Sequence, residues 1–230
     1  MDEAEAINEI FETQDGSHSI TAAQYGVSYH SKYGAITESR HVFIQAGLMP
    51  LLFNVPEQLS ILEVGFGTGL NVLLTYQELA KRQIQVYYES IERFPITQTE
   101  AQSLNYPELL DGEDLGQMFS TMHNCAWDKD IPLSSNFSLK KRLGDLEELP
   151  FEPIFDLIYF DAFAPTVQPE LWTEPIMKKM YGALRPGGIL VTYCAKGEFK
   201  RSLKAVGFKV EPLPGPPGKR EMTKAIKERA

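Results

Sequence analysis

Cysteine is scarce in this sequence: Cys125 and Cys194 are the only two, and neither belongs to a CxxC pair or stands beside histidines at ligand spacing. A disulfide framework is therefore excluded as the organising device, and no ligand set for zinc is expected. Histidine is thin too, and the scattered His18, His30 and His41 read as structural or surface residues. No uninterrupted apolar run approaches membrane-spanning length. The acidic start Asp2-Glu3-Ala4-Glu5 is the reverse of a basic signal-peptide opening, so a cytoplasmic setting without a membrane partner is expected. Linkers rich in Gly or Ser are missing and no internal repeat is visible, which leaves neither a flexible joint nor a solenoid.

Basic residues are few over most of the chain. From Lys178 onward there are 13 Lys/Arg against 4 Asp/Glu, and before it 9 against 27, for a net charge of −9. A basic C-terminal quarter on an acidic body makes either a local phosphate-facing surface or ordinary solvated helix faces. Apolar residues fill 43% of the 230 positions, enough for a sizeable core. The expected division is a small N-terminal cap or lid over 1–53 and a main domain over 54–230.

The main domain is organised around residues 61–71, ILEVGFGTGLN. A short apolar run that closes on an acid, followed by glycines at alternate positions, predicts a buried strand, a tight turn and a helix start. The first amides of that helix face outward, free to meet a ligand. Dinucleotide-binding turns carry GxGxxG, whereas here the third glycine comes one residue early and Glu63 stands two before the first.

A helix over 71–81 follows the turn, and strands are predicted over 84–91, 137–143, 154–160 and 189–194. This alternation predicts an α/β fold with a doubly wound, mostly parallel sheet. Thr37 or Ser39 is expected to cap a helix carrying Val42, Phe43, Ala46 and Leu48, and Pro95 to open another. Trp172 is placed on a helix ending at a turn over 184–188. Residues 199–206 read as a helix, 207–210 as a strand and 220–226 as a strand or helix, with a stiff Pro/Gly loop between the last two. Residues 101–133 yield only fragments. Acids stand at three strand ends: Glu92, Asp145 and Asp161. Ligands in open α/β folds bind beyond those ends, so the three should look into one crevice.

The pattern of Glu63, Gly65, Gly67 and Gly69 resembles the first motif of the class I S-adenosylmethionine-dependent methyltransferases. The fuller set of pieces is similar to a narrower family, the methyltransferase part of MnmC and its stand-alone relatives. Those pieces are 15–17 (DGS), 29–31 (YHS), 38–43 (ESRHVF), 63–71, 90–92 (SIE), 144–146 (GDL), 161–165 (DAFAP), Trp172, 192–197 and 219–222 (KREM). The resemblance implies a Rossmann-like sheet of seven strands with an antiparallel closing strand. It implies S-adenosylmethionine as cofactor, with neither metal nor flavin. Glu63, Gly65, Gly67, Thr68, Gly69 and Asn71 would then hold the methionine end, Glu92 the ribose, Asp145 and Leu146 the adenine, and Asp161 would lie near the methyl group. The implied reaction is methylation of the primary amine of 5-aminomethyl-(2-thio)uridine at the tRNA wobble position. No room is expected after Ala230 for the flavin-dependent oxidase domain of the bifunctional members, so removal of a carboxymethyl group is not expected here, and whether separate upstream modification enzymes supply the amine is left open by the sequence.

The chemistry needs a neutral amine, yet an alkylamine resembles lysine, with a pKa of about 10.4. Asp161 is therefore the expected catalytic residue, positioning the amine first and accepting its proton second, because an ordinary carboxylate is a weak base. Phe163, Pro165 and Trp172 are candidates for the uracil, with core packing the plain alternative for Trp172. Lys196, Lys219 and Arg220 are candidates for tRNA phosphates. Two other readings stand beside this one. The net charge of −9 favours a methyl- or aminopropyltransferase of a free small amine. A non-catalytic RNA- or partner-binding module of the same fold is opposed by the intact Glu63, Gly65, Gly67, Gly69, Glu92 and Asp161.

Overall fold

A computed structural model describes residues 8–54, 56–80, 82–112 and 114–229. The acidic start of the chain and Lys81, the expected end of a helix, lie outside the described residues. Strands β1 (Glu9–Glu12), β2 (His18–Ala22) and β3 (Val27–Ser28) form a small antiparallel sheet. Helix α1 (Ala35–Ser39) follows, continues as the π-helical run Arg40–Leu48 and closes in α2 (Met49–Leu51). It starts earlier than the predicted Thr37 or Ser39 because its first amides are satisfied from a distant turn. Ser17 Oγ accepts from the Ala35 and Ile36 amides at 3.1 and 3.2 Å, and the Asp15 carboxylate accepts from Thr37 N–H at 2.8 Å. Burial pushes the Asp15 carboxyl up, but hydrogen bonds from Ser17 and Thr37 overcome it and bring the pKa to about 2.

The main sheet then assembles from β4 (Gln58–Val64), α3 (Leu70–Leu79), β5 (Gln85–Glu92), α4 (Gln98–Gln102), α5 (Tyr106–Leu109), α6 (Leu115–Asn124), β6 (Asp130–Pro132) and β7 (Phe137–Leu143). It is completed by β8 (Phe155–Phe160), α7 (Glu174–Ala183), β9 (Leu184–Thr192), α8 (Gly197–Ala205), β10 (Lys209–Pro214) and β11 (Glu221–Ile226). The strand order is β10-β11-β9-β8-β4-β5-β7-β6. The five from β9 to β7 are parallel, and β10, β11 and β6 are antiparallel additions at the two edges.

Several expectations are corrected here. The sheet has eight strands, not seven, because β6 pairs with the outer edge of β7; it comes from the 101–133 stretch, whose mixed polarity concealed it. Residues 184–188 belong to β9 and bulge within it, so Phe155 pairs with Leu184 while Leu157 already pairs with Ile189. Trp172 sits in a 3-10 turn, Pro169–Trp172, ahead of α7. Pro95 opens no helix: α4 begins after Thr97, whose hydroxyl accepts from Glu100 N–H in a capping box.

Strand β4 divides the core. Ile61 faces the layer built by the N-terminal helical run and α3, together with Phe43, Leu48 and Leu73. Leu62 and Val64 face the layer of α7 and α8, together with Met177, Met180 and Leu203. Burying each such aliphatic side chain contributes about 1.5–3 kcal/mol, so both faces of the sheet are locked. The helical run therefore packs in the same core as the sheet it covers.

Candidate active site

Strand register brings the predicted acids to one edge. Val64 pairs with Ile91 on one side and Phe160 on the other, and Glu92 pairs with Leu143. The next residues of each strand therefore emerge together. Hydrogen bonds lace them: Gly65 and Phe66 N–H to Ile91 O, Asp161 N–H to Val64 O at 3.0 Å, and Gly144 N–H to Glu92 O at 3.0 Å. Above this edge lies a cleft of about 1100 Å³.

The glycine turn is demanded by packing as much as by backbone angle. Gly67 has φ +49° and a Cβ there would come within 3.0 Å of the Tyr29 ring. At Gly69, φ +74°, a Cβ would meet His123 Nε2 at 2.9 Å. The turn is thus held between the N-terminal sheet and α6. Gly69 caps α3 in the left-handed conformation with no side-chain cap, so the first amides of α3 remain available to an anionic group. Thr68 is buried, and Tyr106 donates to its hydroxyl at 3.2 Å.

Glu92 lines the cleft with its carboxylate turned onto the backbone. It accepts from Gly67 N–H at 3.0 Å and from the Arg93 and Phe94 amides at 2.8 Å each. Asp145 also lines the cleft, where Arg93 Nη1 lies 2.6 Å from one of its oxygens, and Leu146 is buried beside it. Asn71 Nδ2 donates to Asp161 Oδ2 at 2.9 Å. Burial raises the proton affinity of Asp161 well above the usual carboxylate range; a charge on Glu63 would add to it, and the Asn71 bond opposes it. Asp161 is accordingly a stronger base than the ordinary carboxylate expected from sequence. Glu63 is not in the cleft wall; it lies fully buried beneath the turn.

The other end of the cleft has walls that sequence reasoning largely missed. Tyr25, in the turn before β3, and Tyr29, just after β3, pack on Phe163 with ring centroids 5.1 and 5.0 Å apart. Gln168 Oε1 accepts from Phe163 N–H at 2.9 Å, and His30 lines the wall nearby. Lys219 reaches into the cleft, where its ammonium lies 2.6 Å from Glu38 Oε1 and 3.8 Å from the centre of the Tyr193 ring. Its position inside the cleft and its carboxylate partner do not suit the expected phosphate contact. Pro165, Trp172, Lys196 and Arg220 do not line the cleft. Trp172 is 5% exposed, packs between Phe160 and Phe199, and donates Nε1–H to Phe163 O at 2.7 Å. The signal for the missed wall was present in residues 29–31 and 38–43, matched as motifs but given no role.

Comparison with known proteins meets this geometry. A model of the S-adenosyl-L-methionine-dependent methyltransferases matches residues 116–228. The crystal structure of MNMC2 from Aquifex aeolicus superposes with a TM-score of 0.77 at 27% identity, covering 99% of this chain and 73% of that one. By sequence and by fold the chain is similar to the S-adenosyl-L-methionine-dependent methyltransferases. Among sequences, the tRNA 5-methylaminomethyl-2-thiouridine biosynthesis bifunctional protein MnmC of Aromatoleum aromaticum is 32% identical over 91% of this chain and 34% of its own length. The MnmC of Ectopseudomonas mendocina is 34% identical over 86% of this chain and 32% of its own length. The chain thus spans about a third of the length of these curated relatives. Spermidine synthase from Thermotoga maritima shares the fold, with a TM-score of 0.58 at 17% identity.

The cleft suits the cofactor of those methyltransferases. Glu38, Glu92, Glu100, Asp145, Asp161 and Glu170 line it against Arg93 and Lys219, an acidic surplus that matches a cofactor bearing a sulfonium and an ammonium. The uncapped start of α3 provides amides for its carboxylate. Among the described residues no group of His, Cys, Asp and Glu is arranged to hold a metal, and no helix is long and apolar enough to cross a membrane.

Proposed function

We propose that this chain methylates the primary amine of a 5-aminomethyl-uridine at the wobble position of tRNA. The observation that carries the reading is that Asp161, the glycine turn and the aromatic group Tyr25, Tyr29 and Phe163 line one cleft. A flat base needs stacking faces, and an amine on its 5-substituent needs an acceptor next to the methyl donor. Bound at the glycine turn, S-adenosylmethionine supplies an electrophilic methyl on a sulfonium. Gly65, Gly67 and the first turn of α3 would hold the methionine part, Glu92 the ribose, and Asp145 with Leu146 the adenine. Tyr25, Tyr29 and Phe163 hold the uracil. Asp161, held by Asn71, orients the amine and accepts its proton, and its raised proton affinity narrows the gap to an alkylamine. Tyr25, Tyr29 and His30 of the N-terminal segment line the same cleft and would shield the transfer from water. Basic residues of the C-terminal quarter, Arg220 exposed among them, face the tRNA backbone.

Incubation with methyl-labelled S-adenosylmethionine tests the reading against three acceptors: tRNA bearing 5-aminomethyl-uridine, unmodified tRNA, and polyamines. Label is expected only in the first. Label in polyamines would replace the RNA reading by a small-amine transferase, and none anywhere would leave a binding module.

A further inference from the structure

Glu63 carries the motif position that the resemblance assigns to the cofactor, yet it has 0% exposure and lies beneath the turn. Its Oε2 accepts from Ser90 Oγ at 2.6 Å, across a register pair of β4 and β5. Its Oε1 has no hydrogen-bond partner among the described residues, and neither do Asn71 Oδ1 and the Tyr88 hydroxyl. The three orphans lie in one place: Glu63 pairs with Ser90, Tyr88 stands on the same face of β5 diagonal to Glu63, and Asn71, bonded to Asp161, is close enough to act on the Glu63 carboxyl as well. Leaving a buried polar atom unpaired costs about 1–3 kcal/mol. Ionising Glu63 does not repair all three, because a carboxylate and an amide oxygen are both acceptors. One proton on Oε1 does.

We propose that Glu63 is a positioning residue working as a neutral carboxylic acid, whose O–H donates to Asn71 Oδ1 and so turns Asn71 Nδ2 onto Asp161. The donors then run in one direction: Tyr88 to Glu63, Glu63 to Asn71, Asn71 to Asp161 at 2.9 Å. Every buried group is paired, and the single negative charge of the two carboxyls is left on Asp161, which opens on the cleft. A second charge on Glu63 would repel that of Asp161 across the amide.

The surroundings keep the proton in place. Facing Glu63 are Tyr88 and Ser90 on β5, Tyr159 on β8 and Asn71 on α3, with the charges of Asp161 and Glu92 beyond the strand ends. Glu38 and Lys219 act on Asp161 from the far wall. Burial comes first and the Glu92 charge adds to it, while the Ser90 hydrogen bond and the polar groups of Asn71 and Tyr88 nearby oppose; the Glu63 pKa is pushed up to about 8. Paired carboxyls with environments that separate their proton affinities are a recurring way to divide two roles.

The catalytic consequence rests on the methyltransfer reading, but the protonation does not, so infrared spectroscopy of the ligand-free chain is the primary test. A protonated-carboxyl C=O band is expected at about pH 6, lost on raising the pH past about 8. It should be absent from E63Q and retained in D161N. Disappearance in D161N with survival in E63Q would put the proton on Asp161, with the amide reversed, and would overturn the inference; so would no band in the wild type. With an active acceptor in hand, E63Q should turn over at least about tenfold faster than E63A, with cofactor Kd within about threefold in both. Equal loss of kcat in the two variants would also overturn it. Where E63A does not fold, the infrared comparison decides alone, and failure of the tRNA assay leaves that comparison intact.

Discussion

At one end of the cleft the wall is backbone, the turn at Gly65 and Gly67 with the open start of α3; at the other it is side chains delivered from far along the chain, Tyr25 and Tyr29 before the sheet, Phe163 after β8 and Lys219 near the end. A backbone wall recognises one shape and tolerates few changes, because an added Cβ meets Tyr29 or His123. A side-chain wall is adjustable, and its residues lock one another: Gln168 on Phe163, Trp172 on the Phe163 carbonyl, Glu38 on Lys219. The difference teaches that the fixed end serves the cofactor and the assembled end decides what receives the methyl group.

The sharpest break between the ends should come at Asp161. Asp161→Ala is expected to lower kcat by about 10²–10⁴-fold, the usual range for a general base, with cofactor Kd nearly unchanged. Calorimetric titration of S-adenosylmethionine beside single-turnover rates measures both. Glu92→Ala should behave in the opposite way. It removes the acceptor for three backbone amides that shape the turn, and charge-assisted bonds of this kind contribute about 1.5–3 kcal/mol. Cofactor Kd is then expected to rise about 10- to 100-fold, with a smaller loss in kcat at saturation. If both variants lost cofactor binding equally, the two ends would be one unit.

The same contrast explains what was legible in the sequence. The glycine turn, Glu92, Asp145 and Asp161 were readable because each is local: a strand pattern followed at once by the residue that lines the cleft. Their meeting followed from the parallel register. Tyr25, Tyr29, His30 and Glu38 were not readable as a wall, because nothing within their own segment says which crevice it will cover. Trp172 is left between substrate and core by the sequence for a related reason. An aromatic after a strand-end acid fits a substrate shelf as well as a core, and only the contacts with Phe160 and Phe199 separate them. The strand β6 was hidden by its shortness, Asp130–Pro132, and by its edge position, which asks for little apolar content.

Trp172→Phe sharpens the comparison by touching the assembled end from behind. The ring is largely replaced, but the Nε1–H bond to Phe163 O is lost and leaves a buried carbonyl without its partner. Stability should fall by about 1–3 kcal/mol, read in a denaturant titration, with acceptor KM raised no more than about threefold. A large rise in KM without loss of stability would return Trp172 to the substrate.

The smallest effect concerns both ends together. Burial depresses the pKa of His30, in the acceptor wall, and of His123, behind the glycine turn, to about 4 in each case. An unfolded histidine titrates near 6.5, so both residues favour the folded state fully above that value. This contribution is lost as the pH falls from 6.5 through about 4, because the unfolded chain takes up the protons first. His123 also packs on Phe66, and its Nε2 lies 3.1 Å from the Thr68 carbonyl. His123→Gln keeps a donor for that carbonyl and removes one titration. Melting temperature followed from pH 7 downward should therefore decline less steeply in the variant, by a few degrees at the acid end. Parallel curves for variant and wild type would mean that protonation of His123 does not load the turn, and that the cofactor end yields to acid through another group.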